Sequence, residues 1–378
     1  MGDGNQPGKL SRQLNRVAER PLRQQQGIRD MSANRFITCC FIWLVACLPG
    51  IVTAETPDAD EVFSFDDQPL EEPLEFPDWF KLSFLDLRDD IREVREAGKS
   101  GLIVYFGQKY CAYCKAFLEN DLELEDIRIY TLKHFDVVGI DIHGHRTVTD
   151  LAGDEMVESR YAVHKKTNFT PSVVFYDRDG NQALRLRGYY PPYRFRAALE
   201  YVADGHYRKE RFRDYLARAD VPLVFEPGDM NEQDFFTPGP YMLDRSRIPG
   251  ERPLVVFFEQ GNCHACDVLH TGPLSDPEIR ERIAQFENAQ LSFWADTPVV
   301  TPAGVRTTSR AWADELGLFY TPTLIVFGTD GREIIRVDSV VQFYRLSNIL
   351  DYVLSGGYRE YPTFQRWRES RRPRLYKY

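Results

Sequence analysis

Cysteine is scarce in this chain: seven among 378 residues, three of them before residue 54. The other four form two C-x-x-C pairs, Cys111-Ala-Tyr-Cys114 and Cys263-His-Ala-Cys266. Beyond residue 54 nothing is left over for a structural disulfide, so cysteine is kept there only as pairs. A c-type haem is excluded, because its attachment motif needs His directly after the second cysteine, and Lys115 and Asp267 follow instead. Positive charge is short as well. The chain carries 47 Lys and Arg against 57 Asp and Glu, a net of -10. The first 54 residues hold seven basic and three acidic residues, which leaves 40 against 54 for the rest. An acidic body argues against nucleic acid and anionic membranes as partners. Long apolar runs are missing: Phe36–Leu48 meets Pro49-Gly50 well short of the ~20 residues a membrane span needs.

What is present is written twice. Leu102–Phe106 leads into the first pair and Leu254–Phe258 into the second, and each pair is followed by a Thr-Pro, Thr170-Pro171 and Thr321-Pro322. Cys111 to Cys263 is 152 residues; Pro171 to Pro322, Gly180 to Gly331, Gly205 to Gly356 and Tyr207 to Tyr358 are each 151. Solenoid units run to roughly 50 residues or less, so this offset is domain duplication. About 140 residues per copy suffice for an independent core. One C-x-x-C is compatible with a zinc half-site, a disulfide or chance; the repeated sentence points to dithiol–disulfide chemistry.

Residues 1–54 read as an N-terminal extension and secretory signal. A basic stretch precedes the apolar Phe36–Leu48, and Val52-Thr53-Ala54 is a small-x-Ala site ahead of Glu55. Met31 would start a signal of ordinary length, and Leu44-Val-Ala-Cys47 resembles a lipobox that would lipidate Cys47. Cleavage after Ala54 is the expectation, since Pro49-Gly50 breaks the helix a few residues earlier. Glu55–Asp78 holds ten acids and no Lys or Arg, and reads as a disordered acidic leader. The remaining divisions are a first domain over 79–219, a linker over 220–253 rich in Pro and Gly, and a second domain over 254–378. Its basic end, Arg366–Tyr378, reads as a solvated tail.

Each copy runs strand, Cys motif at a helix start, strand, insertion with helix, Thr-Pro, hairpin, helix. The strands are expected near Leu102–Phe106, Val137–Ile142, Ser172–Tyr176 and Ala183–Arg187, with helix Tyr193–Ala203. In the second copy they lie near Leu254–Phe258, Leu291–Trp294, Thr323–Phe327 and Glu333–Val337, with helix Phe343–Leu354. Asp-Gly turns join the hairpins. A first cysteine at a helix N-terminus meets unpaired N–H groups and the positive end of the dipole, which favour thiolate. The second, one turn on, can resolve a mixed disulfide. Cys111 and Cys263 are therefore expected as nucleophiles, and Cys114 and Cys266 as resolving thiols.

These features resemble the thioredoxin superfamily. Tyr105–Lys115, Ile140–Asp150 and Phe169–Phe175 further resemble the SoxW-type exported thioredoxins, well over 80–215 and more loosely over 240–365. The resemblance implies an α/β fold of two tandem thioredoxin-like domains, each a central mixed sheet flanked by helices. It also implies cis peptides at Thr170-Pro171 and Thr321-Pro322, facing the cysteines and pairing with substrate backbone. The sequence departs from ordinary thioredoxin at the buried Asp six residues before the first Cys, where Tyr105 and Phe257 stand. Tyr110 and Asn262 occupy the usual Trp position, and neither motif is Cys-Gly-Pro-Cys.

Four single residues carry alternatives. His264, inside the second motif, reads as tuning the Cys263 thiolate against an exposed loop histidine. Glu259 reads equally as a proton acceptor or a solvated strand end. His143 and His145 suggest metal by type alone, and no metal site is expected. The expected function is thiol–disulfide exchange with protein thiol and disulfide substrates, without cofactor beyond the two disulfides. The expected place is a Gram-negative periplasm, where a membrane electron donor would feed reduction. The rival reading is a soft-metal module for copper or zinc held by paired thiolates, and a third is an interaction protein with one copy inactive.

Overall fold

The computed structural model describes residues 62–219 and 229–371; the expected signal and cleavage site, and Cys47, lie outside them. The first copy begins with α1 (Leu87–Glu96), then β1 (Gly101–Gly107) and α2 (Ala112–Ala116), which continues as a π-helical segment over Phe117–Leu122. Then come α3 (Glu125–His134), β2 (Phe135–Asp141), β3 (Thr147–Thr149), β4 (Glu155–Val157), α4 (Glu158–His164), β5 (Ser172–Asp177), β6 (Gln182–Arg187), α5 (Pro192–Ala203) and α6 (Phe212–Ala219). The sheet order is β2-β1-β5-β6, with β1 parallel to β2 and antiparallel to β5. Every residue of β1 is buried, as expected where helices cover both faces of a sheet. Gly180, at φ +81°, makes the turn between β5 and β6, and Asp177 accepts there from the amides of Asp179 and Asn181.

The second copy repeats this. It comprises β7 (Tyr241–Met242), β8 (Leu254–Glu259), α7 (His264–Thr271), α8 (Pro277–Ile283), β9 (Glu287–Ser292), β10 (Pro298–Val300), β11 (Arg306–Thr308), α9 (Ser309–Glu315), β12 (Thr323–Phe327), β13 (Glu333–Val337), α10 (Phe343–Leu354) and α11 (Phe364–Arg371). Its sheet is β9-β8-β12-β13, with β8 parallel to β9 and antiparallel to β12. The β9 strand starts at Glu287, four residues earlier than its apolar end suggested, and ends at Ser292, two residues before Trp294.

Three segments differ from expectation. Residues 62–78 are not a solvated leader: Val62, Phe63 and Asp67 are buried, and Leu74 N donates to Lys109 O at 2.7 Å. An aromatic or aliphatic residue recurs between the acids, and net charge alone hid this. Residues 229–253 are built onto the second copy. Phe236 packs on Phe257 at 5.1 Å, and Tyr241–Met242 pairs with Val299–Val300. Phe364–Arg371 is a docked helix with Phe364 and Trp367 buried, its basic face having masked an apolar stripe.

The two copies meet through equivalent turns. Gly188 lies against Ser339, its counterpart at an offset of 151, and a Cβ on Gly188 would fall 2.1 Å from Ser339 Oγ. Val340 N donates to Tyr189 O at 3.0 Å, and Tyr190 packs on Phe319 and Tyr320 at 5.7 and 5.4 Å. The last helices, each packed on its own copy, also reach across. Phe212 of α6 packs on Phe319 at 5.2 Å, and Phe364 of α11 packs on Phe169 at 5.6 Å. A surface meeting its own repeat in this way has the self-complementary form of a two-fold contact.

Candidate active site

In each copy the first strand delivers the chain to a helix whose N-cap is the first cysteine. Cys111 Sγ accepts from Cys114 N at 3.0 Å, and Cys263 Sγ from Cys266 N at 3.1 Å. Both pairs are closed as disulfides with Cα–Cα 5.1 Å. The second cysteines are fully buried, whereas Cys111 and Cys263, themselves buried, retain 5% and 7% exposure, so what access each pair has is at its first cysteine. The Thr170-Pro171 and Thr321-Pro322 bonds are cis, which brings each Thr to its cysteine. Cys111 Sγ lies 3.4 Å from Thr170 Oγ1 and 3.7 Å from Thr170 O; Cys263 Sγ lies 3.7 and 3.8 Å from the same atoms of Thr321.

The residue before each nucleophile candidate differs for a backbone reason. Asn262 sits at φ +49°, a left-handed geometry that Asn tolerates better than most residues.

The surroundings of the pairs diverge. In the first copy Tyr113, inside the motif, is buried. Its hydroxyl donates to Asp67 Oδ2 at 2.7 Å and accepts from Gln342 N at 2.7 Å; burial pushes that hydroxyl well above its ordinary range. The Arg345 guanidinium lies over the Tyr113 ring at 3.2 Å and donates from Nη2 to Thr170 O at 2.8 Å. Burial pulls Arg345 down to about 10. Asp67 accepts in addition from Tyr344 N and Arg345 N, each at 2.7 Å. The second copy thus covers the Thr170 carbonyl of the first.

In the second copy the position of Tyr113 is Ala265. His264 is exposed, with its ring edge-on to Phe63 at 5.3 Å. Glu259 is not a solvated strand end: it is fully buried, with His270 Nε2 at 2.9 Å and Gln290 Nε2 donating at 2.7 Å. His145 is exposed, while His143 is buried beside Gln108. Among the described residues no group of three or more His, Cys, Asp or Glu could hold a metal, and no helix is long and apolar enough to cross a membrane. Motif reading alone missed Gln108, Asp67, Arg345 and Gln365. Only Gln108 left a trace, a Gln three residues before the first cysteine in both copies.

The thioredoxin-like domain family matches at residues 87–203 and 242–354. The chain belongs to that family. Its fold and its two C-x-x-C pairs at disulfide distance make it a thiol–disulfide oxidoreductase of thioredoxin type. Similar solved structures include a thioredoxin-fold protein from Helicobacter pylori, 25% identical over 32% of this chain and 80% of that one, with a TM-score of 0.28. The C-terminal domain of Neisseria meningitidis DsbD is 17% identical over 31% of this chain and 93% of its own, with a TM-score of 0.23. A thioredoxin from Thermus thermophilus is 19% identical over 31% and 83%, with a TM-score of 0.26. No curated protein matches the chain.

Proposed function

We propose that the chain is an exported, periplasmic oxidoreductase that reduces disulfides of protein substrates, with Cys111 and Cys263 attacking and Cys114 and Cys266 resolving. The observation that carries the roles is the asymmetry within each pair: the first cysteine keeps the pair's residual exposure, N-caps a helix and faces the cis Thr-Pro, while the second is sealed. The Cys111 thiolate attacks one sulfur of a substrate disulfide, forming a mixed disulfide and releasing one substrate thiolate. The Cys114 thiolate then attacks Cys111 Sγ, closing the intramolecular disulfide and releasing the second substrate thiolate. Two electrons have passed to the substrate, and a membrane dithiol donor would restore them. The basic-apolar-small N-terminus and the resemblance to SoxW-type thioredoxins support export and the reducing direction. Thr170 and Thr321 would pair with substrate backbone.

Trapping tests the roles. Cys114→Ser should accumulate mixed disulfides with substrate proteins, and Cys111→Ser almost none; equal trapping by both would reverse the assignment. N-terminal sequencing of protein made in a Gram-negative host should begin at Glu55, whereas a lipidated Cys47 would replace cleavage by anchoring. Stoichiometric copper or zinc on the thiolates of purified, reduced protein would favour the metal reading instead.

A further inference from the structure

Behind Thr170 runs a buried chain of polar side chains that thiol exchange does not itself require. Its members are Gln108, just after β1, His143, just after β2, and Gln365 and Glu369 from α11 of the other copy. Gln108, His143 and Gln365 are all buried. Glu369 Oε2 lies 3.6 Å from His143 Nδ1, and His143 Nε2 lies 3.2 Å from Gln108 Oε1. Gln108 Nε2 donates to Thr170 Oγ1 at 2.7 Å, and Thr170 Oγ1 is 3.4 Å from Cys111 Sγ.

Donor chemistry fixes the direction of this chain. Gln365 Nε2 donates to the Asn168 carbonyl at 3.1 Å, which turns Gln365 Oε1 toward Gln108 at 3.4 Å. The Gln108 NH2 donates to that oxygen, so Gln108 Oε1 faces His143 and takes a hydrogen from Nε2. The second copy offers a check. Trp294 stands at the position of His143, and its Nε1, a donor only, donates to Gln260 Oε1 at 2.8 Å. Both copies thus present the same glutamine oxygen to a ring N–H. In the first copy the consequence reaches the cysteine. Thr170 Oγ1 already accepts from Gln108, so its one hydrogen is left for the neighbouring sulfur. No hydrogen bond joins Gln260 to Thr321 among the described residues.

We propose that Gln108 and His143 are positioning residues that hold the Thr170 hydroxyl as a donor to the Cys111 thiolate, and that Gln365 and Glu369 complete the device from the second copy. The potential of the first dithiol is then set in part by the last helix of the other repeat. The inference rests on the Cys111–Cys114 pair being a working dithiol. Reduction of that disulfide takes two electrons, supplied by glutathione in the test, and one proton if Cys111 remains a thiolate while Cys114 is protonated. An O–H donor to the thiolate stabilises the reduced form, and hydrogen bonds to an ionised partner are the stronger kind. Removing the brace should make the pair more reducing.

The test is a glutathione redox titration of the full chain carrying Cys263→Ser and Cys266→Ser, so that one dithiol is read. Gln108→Leu should shift the equilibrium constant about tenfold toward the disulfide, which is about 30 mV for a two-electron couple. Thr170→Val should shift it likewise, and Gln108→Leu should add nothing in the Thr170→Val background. Thr170→Ser, which keeps the hydroxyl, should retain the parent value. Glu369→Gln, at a half-exposed position, should move the constant the same way by a smaller factor. Gln260→Leu, read in the reciprocal Cys111→Ser and Cys114→Ser background, should move the second pair far less. A Gln108→Leu constant equal to the parent, or a shift that persists in full without the Thr170 hydroxyl, overturns the proposal. No shift in Glu369→Gln overturns its cross-copy part. Trapping reads which cysteine attacks and titration reads the dithiol equilibrium, so relay and role assignment fail in different measurements.

Discussion

The two copies share backbone and differ in company. Both place a cysteine as N-cap, both set a cis Thr-Pro against it, and both carry Gln three residues before it. Around the first pair the interface has built a polar enclosure: Tyr113, Asp67, Gln342 and Arg345 on one side, Gln108 and His143 on the other. Around the second, Ala265 and an exposed His264 take the corresponding places, with a buried Glu259–His270 contact beneath the motif. Duplication preserved what the backbone needs for thiolate chemistry. What distinguishes the pairs lies in their own neighbouring side chains and, for the first pair, in residues supplied by the other copy.

The hardest blow to this comparison is removal of one nucleophile at a time. Cys111→Ser and Cys263→Ser should not be interchangeable, and each should cost its own copy at least about a hundredfold in turnover. Insulin reduction by each variant with glutathione as donor shows whether the copies act alone or in series. Identical residual rates would mean that the differing surroundings have no functional consequence.

Next in size is separation of the copies. Gly188→Val adds a side chain at φ +99° and against Ser339, and strain together with overpacking should lower stability by about 3 kcal/mol. Reduced Cys111 should at the same time alkylate faster, because Arg345 no longer closes over the Thr170 carbonyl beside it. A loss under about 0.5 kcal/mol in urea melts would be the range of an ordinary surface change, and would place the face-to-face arrangement outside solution behaviour.

The same contrast explains what was legible in the sequence. The sheet strands, the Cys-capped helices and the Asp-Gly turns follow from local patterns of apolar alternation and turn chemistry, and these repeat at a fixed offset. Thr170-Pro171 and Thr321-Pro322 needed the family resemblance to be read as cis. Asp67, Arg345, Gln365 and Glu369 were not legible, because their partners lie far along the chain: Asp67 and Arg345 are 278 residues apart, Gln108 and Gln365 are 257. No local period encodes such contacts. Residues 62–78 misled for a related reason. Acidic composition signals solvation only when no apolar residue has a surface to meet, and the surface belonged to the fold, not to the segment.

A smaller effect concerns Asp121, on the π-helical stretch after the first motif. The second copy has Pro273 at the corresponding position. Asp121 is fully buried, and neither carboxyl oxygen has a hydrogen-bond partner among the described residues. Burial raises its pKa well above the ordinary carboxylate range. The folded state therefore holds a proton that the unfolded chain releases above about pH 4. Stability is lost as pH rises from there toward the folded pKa. Asp121→Leu should stabilise at neutral pH by about 1–3 kcal/mol, the cost of a buried unsatisfied group, and the gain should shrink toward pH 4. Urea melts at pH 5 and 8 read this directly; an equal gain at both would mean that the carboxyl does not change its protonation on folding.

The smallest expected shift is the one the motif sequence advertises. A charged imidazole beside Cys263 would stabilise its thiolate and make the second pair the more oxidising, so His264→Ala should lower that pair's potential. His264 is exposed, however, and packs on Phe63, so water and salt screen its field over a Debye length of about 10 Å at 0.1 M salt. The change should stay below about tenfold in the equilibrium constant, under about 30 mV, and should shrink further as salt is raised. The Thr170 device in the first copy acts in the opposite sense on the difference between the pairs, because it raises the first potential. Titrating both dithiols, each in the background lacking the other, weighs the two against each other. If the second pair stays more oxidising at high salt in the His264→Ala protein, the histidine is not the source, and the buried Glu259–His270 contact becomes the place to cut. If the second pair is the more reducing in the parent, the enclosure built by the interface outweighs the residue inside the motif, and electrons would run from the second copy to the first.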